Sequence, residues 1–237
     1  MSALLSPLDF VGVSFFITSM ALLAATVFFL LERSNVPLKW QLSMTVMVLV
    51  TGIAFVHYLY MREIWVSLGA SPITYRYIDW FITVPLQIVE FYLILAAVAS
   101  VAYSVFWRLL LASTLMLVFG YVGEAGLGDV TFYFTLGMIA WFVILYEIFL
   151  GEASVINANS KNPASQLAFT SLRLVVTVGW AIYPIGYVLG YMSGQVNSST
   201  LNIIYNLADF VNKIAFGLII WYAATSDKQG LKQAKAV

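Results

Sequence analysis

The chain has 237 residues, 62% of them hydrophobic and 9% charged, with a mean hydropathy of +0.93. A soluble domain averages about 45–50% apolar and about 25% charged residues, so this composition excludes one and points to an integral membrane protein. No nucleic-acid partner is expected, and the absence of cysteine excludes disulfides and thiolate metal sites.

The opening MSALLSPLDF carries no basic segment, so no cleavable leader is expected and the first helix serves as its own insertion signal. That helix is predicted over 8–32 and the second over 38–62. Each holds a run of 22 residues free of Asp, Glu, Lys and Arg, at 10–31 and 40–61. At ~1.5 Å per residue such a run crosses a hydrocarbon core ~30 Å thick. The only histidine, His57, falls near the outer end of the second helix, where the plain reading is an interfacial side chain.

The third helix, predicted over 73–98, is apolar enough to enter a bilayer and yet carries Arg76, Asp79 and Glu90. At ~100° per residue, Arg76, Asp79, Thr83, Gln87 and Glu90 fall in a stripe ~80° wide. Asp79 and Glu90 stand roughly 16 Å apart along the axis, on one face. Arginine near a helix end can snorkel, but a short carboxylate cannot reach far. A charge at the bilayer centre costs on the order of 2.5–3.5 kcal/mol even on the lenient insertion scale, and intramembrane carboxylates mark proton or ion pathways.

The fourth helix, 102–125, carries Met116, Gly120 and Glu124, and the fifth covers 129–150. The stretch GEASVINANSKNPAS at 151–165 reads as a polar turn. The sixth helix, 164–192, holds Trp180, Tyr183 and Pro184. Prolines inside spans, here Pro85 and Pro184, free backbone carbonyls and permit bending.

The seventh helix, 200–225, places Asp209 and Lys213 four residues apart on one face, with Tyr205 a turn further out. An internal salt bridge is one reading, although such a bridge stabilises little once desolvation is counted. A chemical reading is also open. A buried amine can condense with an aldehyde to a Schiff base, and once protonated that base needs counterions. Asp79 and Asp209 would then balance Arg76 and the Schiff base, and the four charges sum to zero.

Continuously apolar runs favour helices over an alternating β-barrel. The fold class is therefore an all-α membrane protein, a seven-transmembrane-helix bundle in one domain over 1–237. Odd-numbered turns and the tail hold Arg33, Lys39, Arg108, Lys161, Arg173, Lys228, Lys232 and Lys235, whereas the N-terminus and even-numbered turns hold only Arg62. This asymmetry places the C-terminus in the cytoplasm and the N-terminus outside.

Taken together, Arg76-x-x-Asp79-Trp80, Thr83 and Glu90, Trp180-x-x-Tyr183-Pro184, and Asp209-x-x-x-Lys213 resemble the microbial rhodopsins. RYIDWFITVPL, FGYVGEAG, GWAIYP and NLADFVNKI are similar to the proteorhodopsins, light-driven proton pumps of marine bacteria, over nearly the whole chain. The resemblance implies all-trans retinal bound covalently to Lys213, in a pocket of Trp80, Gln87, Met116, Gly120, Trp180, Tyr183, Pro184 and Tyr205. It implies Asp79 as counterion and proton acceptor, Asp209 as second counterion and Glu90 as proton donor. Arg76 gates the exit, Thr83 belongs to the same stripe, and His57 is bonded to the acceptor. At the position of Gln87 the family resembles a colour switch, leucine going with green and glutamine with blue absorption.

The implied function is an outward, blue-absorbing proton pump in the bacterial inner membrane, as a homo-oligomer (pentamer or hexamer). A photosensor acting through a transducer partner is the alternative. The outer turn MSGQVNSSTL lacks the paired glutamates of haloarchaeal pumps, so prompt release by that device is not expected. Phe16 stands where many proteorhodopsins have tryptophan, and structural hydrogen bonding is the role expected of Glu124.

Overall fold

The computed structural model describes residues 4–236, with side chains described from 4 to 228. Lys232 and Lys235 of the charge asymmetry lie outside the described side chains. Seven helices are long and apolar enough to cross a membrane, and no strand occurs among the described residues. They are α1 (Phe10–Glu32), α2 (Gln41–Leu68), α3 (Ile73–Ala96), α4 (Tyr103–Glu124), α5 (Val130–Phe149), α7 (Pro163–Met192) and α8 (Ser198–Ala236). Between α5 and α7 lies α6 (Glu152–Asn159). Successive spans pack side by side, and α8 returns against α1 to close the bundle.

Burial is inverted relative to a soluble protein. Leu30, Leu49, Trp107, Leu111, Phe142 and Val178 point outward and are exposed, whereas Arg76, Asp79, Thr83, Gln87 and Glu90 are each no more than 1% exposed. Apolar side chains outside and ionisable ones inside are what a hydrocarbon solvent demands. The predicted stripe on α3 is therefore its inward face.

Helix starts follow ordinary capping chemistry, in which a side-chain oxygen accepts an N–H that has no partner in the first turn. Asp9 accepts from Gly12 N–H at 3.0 Å, Asp129 from Phe132 N–H at 2.7 Å, and Asn162 from Ser165 N–H at 2.8 Å. Trp65 Nε1 also donates to Asp9 at 3.1 Å, fastening the end of α2 to the start of α1.

Four expectations need correction. The second helix was expected to end at 62, but it continues to Leu68 and stops at Gly69, whose φ of 62° and N–H bond to the Trp65 carbonyl form a left-handed C-cap. Arg62 and Glu63 end the apolar run but not the helix. The polar stretch 151–165 is not all turn, since it contains α6. Glu147 supports that helix by accepting Ala153 N–H at 3.0 Å, and it pairs with Arg108 at 3.0 Å.

The sixth span is not a uniform helix. It runs as α-helix over Pro163–Leu174, widens to a π-turn over Val175–Gly179, resumes over Ile182–Tyr187 and widens again over Val188–Met192. Pro184 has no N–H for the ladder, which disposes the chain to such a register change. The last helix, expected over 200–225, begins at Ser198 and reaches Ala236.

Candidate functional site

The inward faces of α3 and α8 meet at Lys213. Its Nζ donates to Asp79 Oδ2 at 2.5 Å and to Asp209 Oδ2 at 3.0 Å. The two carboxylates are held very differently. Asp209 also accepts from Tyr58 OH on α2 at 2.8 Å, Trp80 Nε1 on α3 at 3.1 Å and Tyr183 OH on α7 at 2.6 Å. Asp79 Oδ1 has no hydrogen-bond partner among the described residues. A carboxylate satisfied from three helices is a fixed charge, while one with an unmet oxygen has room to take a proton.

Arg76 completes the neutral quartet without touching either carboxylate. One terminal nitrogen donates to Asn202 Oδ1 at 2.8 Å and Asn206 Oδ1 at 3.0 Å, and the other reaches Tyr58 OH at 3.4 Å. Its guanidinium also lies 5.5 Å from the Phe15 ring centre and 5.6 Å from that of Tyr205. Two positive and two negative groups thus share one buried cluster, which offsets the cost of removing them from water.

The remaining polar residues of the stripe stand apart from this cluster. Thr83 Oγ1 donates back to the Asp79 backbone carbonyl at 2.9 Å and not to its carboxylate. Glu90 is fully buried, neither of its oxygens has a hydrogen-bond partner among the described residues, and Ser43 of α2 faces it. His57 lies within the body of α2, not near its end, because that helix extends to Leu68. Its Nδ1 bonds the Ile53 carbonyl at 3.0 Å and stands 3.9 Å from Asp79 Oδ1, a facing contact without a hydrogen bond.

Beside Lys213 Nζ opens a cavity of ≈ 840 Å³, including the space at its mouth. Its wall contains Lys213, Trp80, Gln87, Met116, Gly120, Trp180, Tyr183, Pro184 and Tyr205, all nine residues expected around a cofactor. Gly120 keeps the wall thin, since a Cβ there would fall 2.9 Å from Tyr77 OH.

With this geometry in view, similarity to known proteins is decisive. Residues 9–227 match the family described as bacteriorhodopsin-like protein. The chain belongs to that family. It is 53% identical to a blue-light absorbing proteorhodopsin of gamma-proteobacterium Hot 75m4 over 92% of this chain and 88% of the relative. It is equally 53% identical to a green-light absorbing proteorhodopsin of gamma-proteobacterium EBAC31A08, with the same coverage. The crystal structure of a blue light-absorbing proteorhodopsin from Med12 superposes with a TM-score of 0.82 at 56% identity, covering 92% of this chain and all of that one.

A bacteriorhodopsin-like protein implies a retinal chromophore, and the residues present fit one. Lys213 is the one amine among the cavity's lining residues, and the wall is mainly aromatic and aliphatic, with Gln87, Glu124, Asp209 and Asn212 as its other polar members. Gln87 Nε2, buried in that wall, has no hydrogen-bond partner among the described residues.

Several site residues escaped the sequence reading. Tyr58, Asn202 and Asn206 hold Asp209 and Arg76, yet a neutral polar residue in a span carries no distinguishing signal. Tyr77, Gly137, Met138 and Trp141 line the cavity but look like ordinary packing in sequence. Glu124 accepts from Tyr77 OH at 2.9 Å and Tyr191 OH at 2.7 Å, the hydrogen bonding expected of it.

Proposed function

We propose that this chain is an outward light-driven proton pump carrying all-trans retinal on Lys213. It acts as one seven-helix domain over 1–237 in the bacterial inner membrane, with its C-terminus in the cytoplasm, and assembles as a pentamer or hexamer. The observation that carries the reading is the placement of acids about Lys213. Two carboxylates touch its nitrogen, and a third, Glu90, stands alone eleven residues along α3 from Asp79. Bound retinal supplies light absorption and an isomerisation that reorients the Lys213 nitrogen.

The chain's own residues divide the remaining work. Asp79, with its unmet Oδ1, takes the proton from the Lys213 nitrogen. Asp209 keeps its charge under three donors and preserves the balance with Arg76. Among the described residues no cation pairs with Glu90, and burying an unpaired carboxylate costs several kcal/mol. Glu90 therefore rests as a carboxylic acid and returns a proton to Lys213. Arg76, held outward by Asn202 and Asn206, separates Asp79 from the exterior. A photosensor needs no fixed donor to return a proton to the Lys213 nitrogen, so the buried acid at Glu90 favours the pump.

The colour rests on Gln87. Blue- and green-absorbing relatives are equally similar overall, so total identity does not choose between them. A polar amide in the cavity wall favours blue absorption. Flash spectroscopy on the retinal-loaded protein tests the mechanism. The Lys213 nitrogen should lose and regain its proton in each cycle, and Asp79→Asn should remove the loss. Persistence of that deprotonation in Asp79→Asn would overturn the acceptor assignment.

A further inference from the structure

The break in α7 and the residue preceding Lys213 are joined by a bond that the scheme above does not use. Within α7, Trp180 N–H bonds the Val175 carbonyl at 3.0 Å and Tyr183 N–H bonds the Trp180 carbonyl at 3.1 Å. The Gly179 carbonyl is thereby left out. Tyr183, four residues on, is already engaged, and Pro184, five residues on, has no N–H. Asn212 fills the gap from α8, its Nδ2 donating to the Gly179 carbonyl at 2.9 Å.

Two further features show how closely the helices meet here. A Cβ on Gly179 would fall 2.1 Å from Asn212 Oδ1, so only glycine allows this approach. Asn212 is buried in the cavity wall, and its Nδ2 also lies 3.5 Å from Tyr183 OH, which donates to Asp209. One amide thus ties the turn carrying Lys213 to the one point in α7 where the ladder is interrupted on both sides of Trp180.

We propose that Asn212 is a positioning residue: its bond to Gly179 transmits displacement of the Lys213 turn to the break in α7, opening the route between Glu90 and the Lys213 nitrogen. Sharp bends in helices occur at prolines and π-turns, and this stretch of α7 has both. The inference rests on the pump reading, because it concerns the return of the proton and not its departure.

The absence of cysteine makes the test direct, since two introduced cysteines are the only labelling sites. Spin labels at Ala96→Cys on α3 and Leu167→Cys on α7, both exposed positions, report the distance between the helices in the dark and after illumination. In the retinal-loaded parent the distance should change during the cycle. Asn212→Leu should lose the light-induced distance change and regain the proton about tenfold more slowly, as for one hydrogen bond lost from the transition state.

Gly179→Ala should produce the same pattern from the other helix by displacing Asn212, and it serves if Asn212→Leu does not take up retinal. Parent-like distance changes and proton return in the variant that loads would overturn the relay. If the parent itself passes no proton from Lys213 to Asp79, the pump reading fails instead, and flash spectroscopy separates the two outcomes.

Discussion

Gln87→Leu tests whether one side chain sets the colour. Gln87 is 1% exposed, lines the cavity, and its Nε2 has no hydrogen-bond partner among the described residues. With retinal held on Lys213, excitation would move positive charge away from the Lys213 nitrogen. An amide ordered around the ground-state charge cannot turn during absorption, so it stabilises the ground state relative to the excited one. An amide dipole of ~3.5 D at ~5 Å from a unit charge interacts by ~0.5 kcal/mol at an effective dielectric of ~20. Only relocated charge counts, so the transition energy should fall by up to about 0.5 kcal/mol when leucine replaces glutamine.

The same substitution removes a buried amide N–H without a partner among the described residues, so the leucine variant should keep the parent's stability in the dark. Absorption spectra and thermal bleaching of the retinal-loaded parent and variant measure both effects. A blue shift, or no shift, would refute the dipole argument. A red shift with loss of stability would show that the glutamine has a partner in the loaded protein.

Lys213→Ala should give folded protein that stays colourless with retinal, and a visible band at full intensity would remove Lys213 from its role. Asp79→Asn should shift absorption to the red and abolish transport, since on the proposed reading it removes both a counterion and the acceptor. Flash and pH-electrode measurements would register either failure. Glu90→Gln should leave the first proton transfer intact and slow the return, with azide or low pH partly restoring it; unchanged recovery kinetics would refute the donor role. His57→Asn should move the pH at which the pigment changes colour, because Nδ1 faces Asp79 Oδ1 at 3.9 Å. A titration curve that stays in place would make His57 merely structural.

The seven spans were legible because hydrocarbon imposes length and apolarity on any helix that crosses it. Their ends were less so. Charge ended the predicted second helix at 62, while the backbone continued until Gly69 supplied a left-handed cap. In α6, helix formation rests partly on Glu147, a residue of the preceding helix, so the local sequence of 151–165 could not reveal it.

The site divides in the same way. Arg76, Asp79, Glu90, Asp209 and Lys213 stood out because charge is costly in a membrane and helical spacing put them on shared faces. Tyr58, Asn202 and Asn206 did not, since their importance lies in whom they meet across helices. The contrast between a fully bonded Asp209 and an Asp79 with an unmet oxygen is likewise visible only in three dimensions. Pro184 announced a bend in the sixth span, but neither π-turn nor the capture of the Gly179 carbonyl by Asn212 could be read from it.

The most direct test of the central claim is the pH of an unbuffered suspension of cells expressing the chain with retinal, recorded in darkness and under blue light. Outward pumping by Lys213, Asp79 and Glu90 predicts that the medium acidifies in the light, recovers in the dark, and does neither in Asp79→Asn or with a protonophore. A medium that alkalinises, or that does not respond although the cells are coloured, would contradict the account.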